Sequence, residues 1–258
     1  MSIQLRQICL VAHSLNETIS GLSKVLGIKS CFIDSAVKKW GLENNLISIG
    51  NNFLEVVSPI QSGTAAGRYL QRRQGDGGYM VICQADNHQN QLAVKQRAQD
   101  TGVRIAWERE SAHYHLMQLH PADMQAAFLE VDWDKNNDFD GNWEPAGGST
   151  WTSYIDQTHT LDFCGVELQC KDPKALTNKW AQVLGLTPDG SEIELHNARL
   201  RFVPLRDDRG PGMCGIDVVV RSRNSVMTAA KKHGFVYNES YVEICGVRFY
   251  LVDALATS

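Results

Sequence analysis

A chain of 258 residues, 43% apolar and 21% charged with a formal net charge of −4, has the make-up of one large or two ordinary packed domains. Its Lys and Arg are scattered, with no basic stripe to neutralise phosphates, so nucleic acid is excluded as a partner. No run approaches the eighteen or more apolar residues of a membrane helix, and the opening Met-Ser-Ile-Gln-Leu-Arg lacks the apolar region of a signal peptide, so the expectation is a cytoplasmic protein with no membrane partner. Seven cysteines without a Cys-x-x-Cys pair read as small buried hydrophobes, not as a disulfide frame or zinc site.

In chain order, residues 5–28 read as an apolar strand, an N-cap at Ser14, and a helix with apolar Leu15, Ile19, Leu22 and Leu26 that Gly27 ends. Strands are predicted near 30–35 and over 45–50 and 52–59, with an Asn-Asn turn between the last two. A short helix over 65–74 follows. A second unit comprises a strand over 78–84, a helix over 88–101 ended by Gly102, and strands over 103–108, 113–119 and 127–133. Residues 134–160, rich in Asp, Asn, Gly and Trp, read as a linker with anchoring aromatics. Residues 163–186 then repeat 5–28 without a gap at an offset of 158, Asp172 standing for Ser14 and Leu184 for Leu26. Pro173 suits the first helical position. Strands over 193–195 and 199–205 follow, then a strand over 215–220, a helix over 224–233 and strands over 242–244 and 247–253.

This series, with Val-Leu-Gly-Ile closing the first helix, the strand Phe53-Leu54-Glu55-Val56-Val57-Ser58-Pro59, and His120-Pro121-Ala122-Asp123 ahead of Ala127-Phe128-Leu129-Glu130, resembles the vicinal oxygen chelate superfamily, the glyoxalase, bleomycin-resistance and dioxygenase-like proteins. The likeness covers nearly the whole chain. It implies an α+β fold of four βαβββ modules paired into two glyoxalase-like domains with cupped mixed sheets. The expected boundaries are 1–134 for the first domain, 135–159 for the linker and 160–258 for the second domain, whose modules are shorter.

In that superfamily the cup floor holds a divalent metal through His or Glu on the first and last strand of each module. The first-strand position, seven residues before the helix N-cap, falls on Gln7 and Tyr79, so both usual histidines are missing; the last-strand position falls on Glu55 and Glu130. Strand alternation supports the acids independently. Glu55 shares a face with Phe53 and Val57, and Glu130 with Phe128 and Asp132. An acid amid apolar strand residues either faces water on an exposed sheet face or works in a cup. The resemblance implies Glu55 and Glu130 as catalytic residues, a ligand site of Gln7, Tyr79, Phe53, Phe128 and Arg68, and a metal, if one binds, on Glu55, Glu130 and Gln7. The candidate cofactor is one divalent ion (Mg, Mn, Fe or Zn), polarising a substrate carbonyl while a Glu moves a proton on the neighbouring carbon.

Other signals are weaker. His113 and His115 share a strand face and His120 precedes Pro121, but His-x-His near a surface is more often solvated than ligating. Arg68 and Arg72, one helical turn apart, suit a carboxylate clamp or a solvated face. Residues 136–147 lack the closing Glu of a calcium loop, Gly147 standing in its place. Trp40, Tyr79, Trp107, Trp133, Trp143 and Trp151 crowd the first half and linker and suit a flat or extended guest. The second half, with Gly165 and Gly215 at the first-strand positions and no carboxylate at the matching place of the last strands around Phe202 and Tyr250, reads as a scaffold or regulatory half. Three functions follow: a metal-assisted lyase, isomerase or dioxygenase; an enzyme using Glu55 or Glu130 without metal; or a metal-free binding protein of the bleomycin-resistance type. The expected partner is a small-molecule ligand or substrate, with a homodimer left open.

Overall fold

Every residue of β1 (Ile3–Val11) and of β5 (Gly77–Ala85) is buried. Strands covered on both faces need not alternate polar with apolar, and these two form the antiparallel centre of the first sheet. The computed structural model describes residues 2–254; residues 255–258 of the expected second domain lie outside the described residues.

The repeat read from the sequence is one structural device used twice. Helix α1 (Leu15–Leu26) begins where the Ser14 side chain accepts from the Glu17 amide and ends at Gly27, whose φ of 70° suits a residue without Cβ. Helix α5 (Pro173–Leu184) begins at Asp172, with Pro173 in its first turn, and ends at Gly185, also at φ 70°. The first module is completed by β2 (Ser30–Phe32), a 3₁₀ turn (Ser35–Trp40), β3 (Leu42–Ile49) and β4 (Asn52–Pro59). Helix α2 (Ala65–Arg73) leads to the second module: β5, α3 (His88–Asp100), β6 (Ile105–Glu110), β7 (Tyr114–Leu119), the one-turn α4 (Pro121–Met124) and β8 (Phe128–Asp134). The first sheet runs β6-β7-β8-β5-β1-β4-β3-β2, with β4 parallel to β1 and β8 parallel to β5.

The second half repeats this plan with β9 (Thr160–Cys170), α5, β10 (Pro188–Asp189), β11 (Glu192–Glu194), β12 (Arg199–Pro204), β13 (Gly212–Val220), α6 (Arg223–Lys232), β14 (Tyr241–Ile244) and β15 (Val247–Asp253). Its order is β10-β11-β12-β9-β13-β15-β14, so among the described residues the fourth module has two strands after its helix, not three. The two sheets meet at one pair, Met213 opposite Gly78.

The halves interlock. Helix α1 packs on α6 and α3 on α5, and one apolar cluster draws on both. Arg97 of α3 donates to the Val183 and Leu184 carbonyls at 3.0 Å, satisfying acceptors that the end of α5 leaves free. The Asn197 side chain accepts from the Leu5 amide at 2.9 Å and donates to the Leu5 carbonyl at 3.0 Å, where β1 carries a register shift.

Candidate functional site

The side chains of Gln7 and Cys9 on β1, Glu55 and Val57 on β4, Met80 and Ile82 on β5, and Phe128 and Glu130 on β8 alternate onto the concave face of the first sheet. They line a cavity of about 530 Å³ with Tyr79, Tyr114, Leu116 and Gln118. Trp40, Trp107, Lys39 and Arg109 stand at its rim, the indoles edge to face at 5.5 Å with Lys39 over both rings at 5.4 and 5.2 Å. Residues 144 and 145, from the segment read as a linker, also line it.

Glu55 and Glu130 face this one cavity although β4 and β8 are three strand spacings apart. Each lies one strand outside the central β1–β5 pair, so the two acids stand on either side of that pair and both line the cavity. Neutral amides hold Glu55: Gln7 Nε2 donates to Oε2 at 3.0 Å and Asn44 Nδ2 to Oε1 at 2.7 Å. Neither amide can turn round. Trp143 Nε1, a donor only, gives its hydrogen to Gln7 Oε1 at 2.8 Å, and the Asp34 backbone amide gives its hydrogen to Asn44 Oδ1 at 3.0 Å. Burial pushes Glu55 above the ordinary carboxylate range, against the pull of hydrogen bonds from Asn44, Cys9 and Gln7.

Glu130 accepts from Gln118 Nε2 at 2.6 Å, a direct cross-strand pair. Desolvation pushes Glu130 up to about 7, opposed by hydrogen bonds from Gln118 and Asp132 and helped by the charge of Glu55. Asp132, fully buried and bonded to the Tyr114 hydroxyl, rises well above its usual range through burial and through Glu130 beside it. Each of these two neighbouring buried carboxyls holds its proton more tightly than an ordinary carboxylate does, the direction in which a general acid or base is tuned.

Gln7, Glu55, Tyr79, Phe128 and Glu130 line the cavity. Phe53 shares their face but lies under Trp151 of the intervening segment, ring centres 5.0 Å apart, in a cluster with Trp143. Arg68 is exposed and donates to the Gly63 carbonyl at 2.7 Å, because α2 turns Ala66, Tyr69, Leu70 and Arg73 inward and Arg68 with Arg72 outward. The counterpart of Gln7 is Met80, not Tyr79: α3 is capped by Asn87, not Asp86, and seven residues back is Met80. Register agrees, Gln7 pairing Ile82 while Cys9 pairs Met80 about a local two-fold. Asn44 and Gln118 escaped the sequence reading; Asp132 entered it only as sharing the Glu130 face, and Trp143 only as one of the aromatics suited to a guest, not as the partner of Gln7. His113 is exposed and His120 caps α4, so neither joins His115.

A divalent cation fits this cup poorly. Both Glu55 oxygens face amide N–H groups, Gln7 presents N–H and not its carbonyl, and Met80 brings a thioether where a hard ion needs oxygen. The donor set satisfies a carboxylate and leaves no ring of lone pairs for a metal.

The glyoxalase-like domain model matches residues 8–184, two thirds of the chain. No protein of curated function matches in sequence. Among solved structures, a hypothetical protein from Staphylococcus aureus is similar over 98% of this chain and 100% of its own, with 12% identity and a TM-score of 0.65. A methylmalonyl-CoA epimerase bound to methylmalonyl-CoA is similar over 52% of this chain and 96% of its own, at 18% identity and TM-score 0.44. A hypothetical protein from Bacillus halodurans is similar over 52% and 96%, at 17% and 0.45. With the family model spanning most of the chain and the paired modules in place, the chain belongs to the glyoxalase-like proteins of the vicinal oxygen chelate superfamily.

Proposed function

We propose that the first cup binds a small organic molecule with an enolisable carbonyl and moves a proton on the carbon beside it, without metal, as an isomerase. The carrying observation is that Glu55 and Glu130, from the strands on either side of the central pair, both line one aromatic-rimmed cavity. Glu130 as carboxylate takes the C–H proton, the electron pair moving onto the carbonyl oxygen. Glu55 in its protonated form returns a proton from the other side as the carbonyl re-forms, which inverts the carbon. Burial, only partly offset by the hydrogen bonds from Gln118 and Asp132, brings Glu130 to about 7, where it can both take and release a proton near neutral pH. Lys39 and Arg109 at the rim suit an acidic group at the outer end of the guest.

Both cup walls come from one chain, so a homodimer is not needed to complete the site. No helix among the described residues is long and apolar enough to cross a membrane. The seven unpaired cysteines support a cytoplasmic location.

The test is deuterium uptake, followed by proton NMR in D₂O, with a panel of α-substituted acyl thioesters and hydroxyketones. Uptake at the carbon beside the carbonyl is expected for at least one, reduced about 100-fold or more in Glu130→Gln and in Glu55→Gln. A second reading, a binding protein, draws on the amide pairing that saturates both Glu55 oxygens. Ligands that bind the cup with no exchange in the wild type would favour it and defeat the isomerase.

A further inference from the structure

On the convex side of the same sheet, residues that the cup does not use come together. Tyr114, Leu116 and Gln118 of β7 point into the cavity, so His115 between them points out, toward the start of α3, where it is fully buried. His88, the first residue of α3, brings its Nε2 to 3.2 Å from His115 Nδ1. The other nitrogen of His115, Nε2, lies 2.6 Å from Glu108 Oε1, itself paired with Lys95 Nζ at 2.5 Å. That bond sets the tautomer. A carboxylate held ionised by a lysine takes the Nε2–H, which leaves the Nδ1 lone pair directed at His88. Glu110 places a carboxylate oxygen with both imidazoles, the three ligand atoms all within 4.8 Å of one another. Trp133 stacks on the His88 ring at 4.3 Å and 19° and fixes its plane.

We propose that His88, His115 and Glu110 form a binding site for one transition-metal dication of the zinc class, separate from the cup. Two imidazole nitrogens on a tetrahedral zinc, each at about 2.0–2.1 Å, stand about 3.3 Å apart, and the 3.2 Å separation is already that distance. Glu108 behind His115 is the outer carboxylate that orients a metal-bound imidazole and raises its basicity. Exposed Glu110 and half-buried His88 leave the fourth position to water. The mixed nitrogen and oxygen set favours zinc, cobalt, nickel or copper over magnesium or calcium.

Titration of chelator-treated full-length protein with Zn²⁺ by calorimetry, and with Co²⁺ by visible absorption and Trp fluorescence, tests the site. One equivalent of Zn²⁺ is expected at micromolar or tighter affinity, with a tetrahedral Co²⁺ spectrum and quenching of Trp133. His88→Ala and Glu110→Gln, both at accessible positions, should each weaken binding at least 10-fold, and Glu108→Gln by 10–100-fold. Unchanged binding in His88→Ala, or no saturable binding in the wild type, overturns the proposal: the contact is then only a histidine–histidine hydrogen bond. Binding lost in Glu55→Gln but kept in His88→Ala moves the ion into the cup, overturning this site and the metal-free reading together. Deuterium exchange that fails while zinc still binds at His88 overturns the isomerase alone.

Discussion

Position for position, the two halves answer the same geometric problem in opposite ways. Seven residues before the helix caps stand Gln7 and Met80 in the first half and Gly165 and Gly215 in the second. Two residues on, Cys9 and Ile82 are replaced by Glu167 and Asp217, and the last-strand acids Glu55 and Glu130 by Arg201 and Tyr250, as the strand registers show. The second half fills its own concavity with charge. Arg206 grips Glu167 bidentately at 2.9 and 3.0 Å, Arg201 holds Asp217 and reaches Glu167 at 3.8 Å, and the Tyr250 hydroxyl donates to Glu167 at 3.0 Å. The glycines make the room: a Cβ on Gly165 would run into Asp217, and one on Gly215 would come within 2.6 Å of the Tyr250 ring. An acid countered by arginine is finished chemically. An acid held only by neutral amides keeps its affinity for a proton and the space in front of it.

The largest effect expected from breaking this contrast is in the second half. Arg201→Met strands the buried Asp217 carboxylate and should cost about 3 kcal/mol by urea denaturation; a neutral result would show that the ion pairs do not hold that half together. Next comes pH. Burial alone would raise Glu167, but the hydrogen bond from Arg206, with those of Cys214 and Tyr250, brings it below the ordinary value, so its stabilisation is present above the unfolded pKa and fades as pH falls. Glu130 has the opposite sign. Its folded pKa, about 7 against an ordinary 4.5, means stability present below 4.5 and lost as pH rises through about 7, of order 3 kcal/mol. Denaturation midpoints at pH 5 and pH 8 should therefore diverge less in Glu130→Gln than in wild type, and an unaltered difference would remove Glu130 as the neutral-range group. The smallest effect belongs to Glu55→Gln, which keeps the side chain's shape and loses an amide hydrogen bond, about 1 kcal/mol. A cost near that of Arg201→Met would mean that the first cup is as tightly locked as the second.

Much of this was legible before any coordinates. The ungapped repeat located both first helices with their caps, Ser14 and Gly27, Asp172 and Gly185, because capping chemistry is local. Alternation put Glu55 and Glu130 on one face because the strand period is a property of the backbone. Errors came where two residues could do the same local job, or where a contact was distant. Asp86 and Asn87 are both capable caps; the Asn87 side chain accepts from the Asn90 amide while Asp86 takes the Ser2 amide, and that slip of one moved the expected site residue from Met80 to Tyr79. Phe53 had the right face and the wrong neighbour, since nothing local says that Trp151 will cover it. His88 and His115 are 27 residues apart on different elements, and only tertiary packing brings them together.

The hydrogen bond from Trp143 to Gln7 spans 136 residues and has a consequence for dissection. By strand count the first half ends at Asp134. By what lines the cavity it ends later. A fragment cut there would keep every strand of the cup yet lose the indole that decides which end of Gln7 meets Glu55, along with residues 144 and 145 of the wall. The smallest autonomous piece of this protein able to present its acids correctly must therefore carry part of what joins its halves, and exchanging that joining segment between relatives would exchange binding character with it.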